Sequence, residues 1–141
     1  MRAALFWCLL LVCCRAGNKE QPSTSSTSTP SEAEQVVQRG LNAWNKHDVE
    51  GALSVFSPDA KVYRFPDHLV PNSLDSMRAR WTQRFAKDPK VHVTVSPRIV
   101  HNRFVIDHET ASGLADGKTR TADWIYEVDG GRIVRAWVLP E

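Results

Sequence analysis

Beyond residue 14 the 141-residue chain has no cysteine. Its three cysteines, Cys8, Cys13 and Cys14, all sit in one apolar run near the N-terminus. Once that run is removed, neither a disulfide nor a thiolate catalyst is available. Long hydrophobic runs are missing too. The apolar stretch at 3–14 falls short of the roughly 20 residues a membrane-spanning helix needs, so no membrane span is expected. The five histidines, at 47, 68, 92, 101 and 108, show no tight ligand spacing, and no metal site is expected. No internal repeat, nucleophile elbow, phosphate loop or thiol motif is visible, and no cofactor is expected.

The N-terminus has the order of a secretory leader: Arg2, an apolar run, then the small residue Ala16. Cleavage there gives a leader at 1–16 and a secreted or periplasmic product. The competing assignment makes Cys13 or Cys14 the lipidated first residue of a lipoprotein, although Val12 or Cys13 then occupies a position where Gly, Ala or Ser is usual. Removing Arg2 and Arg15 from 18 basic residues leaves 16, against 16 acidic ones. So balanced a charge has no footprint for nucleic acid. The tract at 17–30 is rich in Ser, Thr and Pro and reads as a flexible linker, because it cannot repay the entropy of ordering.

A single domain is expected over 31–141. Ser31-Glu32-Ala33-Glu34 has capping-box spacing, and Val37, Leu41 and Trp44 recur at helical period. A second short helix is expected over 49–56, stopped by Ser57-Pro58-Asp59. Strand character follows at 60–65, then a loop at 66–72. Ser73 caps a third helix whose stripe is Leu74, Met77, Trp81 and Phe85, ended by Asp88-Pro89. From there the period alternates, with strands expected near 91–100, 103–112, 119–128 and 132–139 joined by short links. Helices followed by a meander make an α+β domain, cone-shaped, with N-terminal helices on a curved, mainly antiparallel sheet that encloses a pocket. Gly40 lies mid-helix, where it costs about 1 kcal/mol relative to alanine. Either the pocket needs the missing side chain's space, or helix and sheet pack closely there.

The VVQRGLNAWNKHD run at 36–48, GALSVFSPDA at 51–60, FVIDHE at 104–109 and IYEVDGGRI at 125–133 together resemble SnoaL-like and ketosteroid isomerase-like proteins of the nuclear transport factor 2-like superfamily. The resemblance covers 31–139. It is specific for fold and weak for chemistry. The isomerase pattern it implies, a helix-1 tyrosine with an acid and a base aspartate, falls on Gly40, Trp124 and Arg64. Asp123 adjoins the acid position on the opposite strand face. An arginine stays protonated and cannot replace a carboxylate base, so that mechanism is not expected. The same placement puts Trp44, His108, Thr110, Trp124, Tyr126, Ala136 and Val138 on the pocket face with Gly40, and Arg64 near the pocket mouth. Such walls suit a flat apolar ligand.

Three functions stay open. The first is an exported domain binding an apolar small molecule. The second is a cofactor-independent isomerase or lyase using His108 as acid/base with Asp67. The third is an envelope protein acting as a homodimer through the outer sheet face, to which Trp137 is assigned.

Overall fold

A computed structural model describes residues 30–71 and 73–140. The leader assigned to 1–16 and nearly all of the linker lie outside the described residues. Helix α1 (Glu32–Asn45) starts where the capping spacing put it, with the Ser31 hydroxyl accepting from the Glu34 N–H. Its inward face buries Ala33, Val36 and Val37. Helix α2 (Val49–Leu53) is shorter than the sequence suggests, and strand β1 (Phe56–Arg64) takes over residues expected to be helix and stop. The buried Val55 and Phe56 draw the chain into the sheet early. A register break between Phe56 and Lys61 absorbs Pro58, whose missing N–H is tolerated at such an irregularity.

The expected loop after β1 contains a two-residue strand, β2 (His68–Leu69), paired back on β1. Helix α3 (Leu74–Lys87) begins with a capping box formed by Ser73 and Ser76 and buries Met77 and Phe85. The buried Asp88 caps its end, taking Arg84 at 2.8 Å and the Ala115 N–H at 2.8 Å. The meander follows as β3 (His92–His101), β4 (Phe104–Ser112), β5 (Arg120–Asp129) and β6 (Arg132–Pro140).

The six strands are ordered β2-β1-β6-β5-β4-β3. All pairings are antiparallel except β1 with β6, the first long strand with the last. The sheet is curved and unclosed, and helix α1 lies across its concave face. Asn45, at the end of α1, is stapled to edge strand β3 by two 2.8 Å bonds with the backbone of Val93. Gly113 permits a close crossing after β4: its φ is +72°, and a Cβ there would stand 1.9 Å from the Lys90 carbonyl oxygen. That crossing seats the buried Leu114 against Val91 and Phe85.

The convex face carries its own apolar ladder. Leu69, Tyr63, Trp137, Ile125, Ile106 and Ile99 are successive register partners across all six strands. Tyr63 and Trp137 stack at 5.7 Å. A sheet with two apolar faces cannot have its inside read from hydrophobic alternation alone.

Candidate functional site

A cavity of about 460 Å³ opens between α1, α3 and the concave face of the sheet. That volume lies in the range of small-molecule sites, roughly 300–1,000 Å³. Its walls are aromatic. Trp44 of α1 meets Trp81 of α3 edge-on at 5.1 Å, and Trp124 stacks on Tyr126 along β5 at 5.8 Å. Gly40 also lines the cavity, and a Cβ on it would stand 2.9 Å from the Val55 methyl. Both expectations for this glycine therefore apply: it borders the cavity and it permits a close contact.

The polar floor comes from β4. Asp107 is 1% exposed and takes two 2.7 Å hydrogen bonds from Arg98, from Nε and Nη2. The remaining Nη1 of Arg98 donates to Gln38 Oε1 of α1 at 2.7 Å. A bulge aims Arg98 inward. Between the pairs Val95–Glu109 and Arg98–Asp107, β3 advances three residues while β4 advances two. The extra residue moves Arg98 onto the face that Val95 occupied.

Two residues along β4 from Asp107, Glu109 also lines the cavity and accepts from the Tyr126 hydroxyl at 2.9 Å. Burial pushes the Glu109 carboxyl up to about 7, and the nearby negative charge of Asp107 adds to this. The Tyr126 hydrogen bond and Arg98 oppose the shift without cancelling it. Burial and the adjoining carboxylate hold the Tyr126 hydroxyl well above its ordinary value, so it stays a donor. Near neutral pH the site thus holds a carboxyl able to give or take a proton, a phenol that donates to it, and a neighbouring carboxylate neutralised by an arginine.

The positions anticipated from sequence divide. Gly40, Trp44, Trp124 and Tyr126 line the cavity. Ala136 shares their sheet face but is sealed in the core beside Val62, and Val138 is beside Trp124 in register without lining the cavity. Arg64 is exposed next to Val138 and His68, outside the cavity.

His108 and Thr110 are on the other face. His108 is half-buried on the convex side, with Nδ1 2.7 Å from Asp123 Oδ1, and Thr110 pairs there with Thr121. Asp67 lies exposed in the β1–β2 turn. Strands β6 and β5 separate β1 from β4, which puts Asp67 and His108 roughly 14 Å or more apart at about 4.8 Å per strand. The structure does not bring them together.

The error is one of parity in β4. Phe104 and Ile106 look like inward residues, yet they serve the convex face, and Val105, at 0% exposure, serves the core. Asp107 and Glu109 follow Val105 inward. Pro97, a proline inside a strand, was the available hint of the bulge that delivers Arg98.

Among the described residues no helix is long and apolar enough to cross a membrane, and no group of three or more His, Cys, Asp or Glu residues has the placement to hold a metal ion.

A family model described as "SnoaL-like domain" matches residues 37–136. No curated relative matches the chain in sequence. Among solved structures the fold is similar to an NTF2-like protein from Cytophaga hutchinsonii, with a TM-score of 0.64 and 15% identity over 81% of this chain and 94% of that one. It is also similar to an LEH-like epoxide hydrolase from M. tuberculosis, with a TM-score of 0.64 and 16% identity over 78% and 83% of the two chains. A putative polyketide cyclase from Sinorhizobium meliloti has a TM-score of 0.62 and 17% identity over 74% and 93%. At these identities the likeness concerns the fold.

Proposed function

Starting from a chain that belongs to the SnoaL-like domain family, we propose that the cavity receives an apolar small molecule and that Glu109 transfers a proton on it, as in an isomerase or lyase. The observation that carries this reading is a carboxyl with its proton affinity raised to about 7, aimed into an aromatic cavity and held by Tyr126. Such a group is half-ionised where cells operate, the condition under which general acid–base catalysis is most effective. The role given to His108 in the sequence passes to Glu109, and Asp67 has no part in it. The fold also occurs in an epoxide hydrolase and a putative polyketide cyclase. Those names support a use of such cavities in small-molecule chemistry without specifying the reaction here.

A general probe tests the proposal. 5-Nitrobenzisoxazole is flat and apolar, and loss of its one acidic C–H proton breaks the ring N–O bond to leave a coloured phenolate. Its conversion should rise with pH through about 7 and level off above. Glu109→Gln should lower it by roughly 10²–10⁴-fold. An equal rate in folded Glu109→Gln protein would remove Glu109 from the chemistry.

A second reading rests on the convex ladder. Ile99 and Leu69, at its two ends, are 54% and 48% exposed. Charged pairs flank it, His108–Asp123 on one side and Glu127 with Arg103 and Arg135 on the other. An apolar band with a polar rim of both signs suits a second copy of the same face, and we read the chain as a homodimer through it. Light scattering should give twice the chain mass, and Trp137→Glu should halve it. Export belongs to the same proposal: mass spectrometry of the cell-derived protein should find Gly17 at or near its start, whereas an acylated Cys13 or Cys14 would select the anchored form.

A further inference from the structure

The cavity's mouth differs in charge from its floor. Three exposed cavity-lining residues are arginines: Arg80 and Arg84, one turn apart on α3, and Arg120 at the start of β5. A smaller recess of about 180 Å³ adjoins them, lined by Arg84, Lys87, Asp88, Asp116 and Arg120. Across the two openings, four cations face two carboxylates. Both carboxylates are held below the ordinary range, Asp88 first by the Ala115 N–H and Asp116 first by the Lys118 N–H, with Arg84 and Arg120 adding to each. They are therefore ionised at neutral pH and still leave an excess of positive charge. Arg80 has no carboxylate partner among the described residues, and its Nη1 donates only to the Pro71 carbonyl at 3.1 Å.

The floor holds Asp107, committed to Arg98, and the half-buried Glu109, which lie four and two residues along β4 from the Ala111–Arg120 pair. An anion at that floor would meet the Glu109 carboxyl, charged above about pH 7, in a poorly solvated place where the one cation, Arg98, is already committed to Asp107 and Gln38. It can approach the mouth, where arginine forks suit the planar oxygens of a carboxylate, sulfonate or phosphate.

From this polarity we infer that the ligand is amphiphilic: an apolar, flat body that fills the aromatic cavity and one oxyanion that stays at the arginine rim. The inference rests on the reading of the cavity as a small-molecule site and adds the ligand's charge and its orientation. The anion anchors the molecule at the rim, and the apolar end meets the Glu109 carboxyl and the Tyr126 hydroxyl.

Two probes with the same aromatic framework separate the two claims. N-phenyl-1-naphthylamine is neutral, and 8-anilinonaphthalene-1-sulfonate adds one sulfonate. Their dissociation constants are measured by fluorescence on the full chain, with each displacing the other. The sulfonate should bind about fivefold more tightly at low salt, a gain in keeping with partly exposed ion pairs. The ratio should collapse toward one near 1 M salt, where the Debye length is about 3 Å. Arg80→Gln with Arg120→Gln should bring the ratio of the two affinities, each measured on the variant itself, close to one; both residues are exposed, so folding is not at stake. Equal affinities in the unaltered protein overturn the anion claim while the cavity reading stands. A preference that survives in the double variant overturns it as well, because the sulfonate is then held elsewhere, as on the convex ladder. If the neutral probe does not bind at all, the cavity reading fails and takes this inference with it.

Discussion

Replacing Glu109 by glutamine should stabilise the protein, and only at higher pH. The folded state holds the Glu109 proton up to about pH 7, whereas an ordinary glutamate releases it near 4.5. Below the lower value both states bind the proton and the group makes no difference. Between the two, the unfolded chain binds fewer protons than the folded one, so stability falls as pH rises. Above the upper value the full penalty is present. At about 1.4 kcal/mol per unit over the interval from 4.5 to about 7, it comes to about 3.5 kcal/mol at most. Glutamine keeps the volume and the oxygen that accepts from Tyr126 but cannot ionise. Urea unfolding of both proteins from pH 4.5 to 8 reads the difference directly. The midpoints should agree at the acid end, and the variant should lead by about 1–3 M above neutrality, given a slope of about 1–3 kcal/mol per M. The lowered carboxyls of Glu50, Asp88 and Asp116 lose their contribution only as pH falls through the acid range, equally in both proteins, and cancel from the difference. A gap between the two proteins that stays constant with pH would refute the claim that burial raises Glu109.

Three further outcomes follow from the same packing. Arg98→Ala strands the buried Asp107 carboxylate and should cost about 3–5 kcal/mol in a denaturant melt, whereas Arg98→Ala with Asp107→Ala should recover part of the loss. Gly40→Ala drives a methyl against Val55, whose branched side chain cannot swing aside; the overpacking, about 1–3 kcal/mol, outweighs the helix-propensity gain of about 1 kcal/mol, so a denaturant melt should show a net loss of about 1–2 kcal/mol with the cavity only slightly smaller. His108→Ala, on the convex face, should change stability by about 0.5 kcal/mol or less and leave neutral-probe binding untouched. A loss of probe binding in that variant would return His108 to the site.

What the sequence determined by itself was local. Caps at Ser31 and Ser73, the Leu74-Met77-Trp81-Phe85 stripe, the turn at Asp129-Gly130-Gly131 and the switch from helical to alternating period specify helices first and a meander after, because those signals act within a few residues. With the family resemblance they specified the fold, and they put Gly40, Trp44, Trp124 and Tyr126 beside the cavity. Tertiary structure alone decided which face of β4 looks inward. Alternation has a period of two, so Val105, Asp107 and Glu109 trade places with Phe104, Ile106 and His108 on a one-residue change of phase, and apolar ladders on both faces of the sheet leave the strand's own residues unable to choose. Register against β5 chooses, by setting Asp107 opposite Trp124 and Val105 opposite Tyr126. The bulge before Arg98 then brings a cation to Asp107, and the depth of the cavity raises the Glu109 carboxyl. Burial and cross-strand partners make that carboxyl a candidate acid and base, and both arise from contacts distant in sequence.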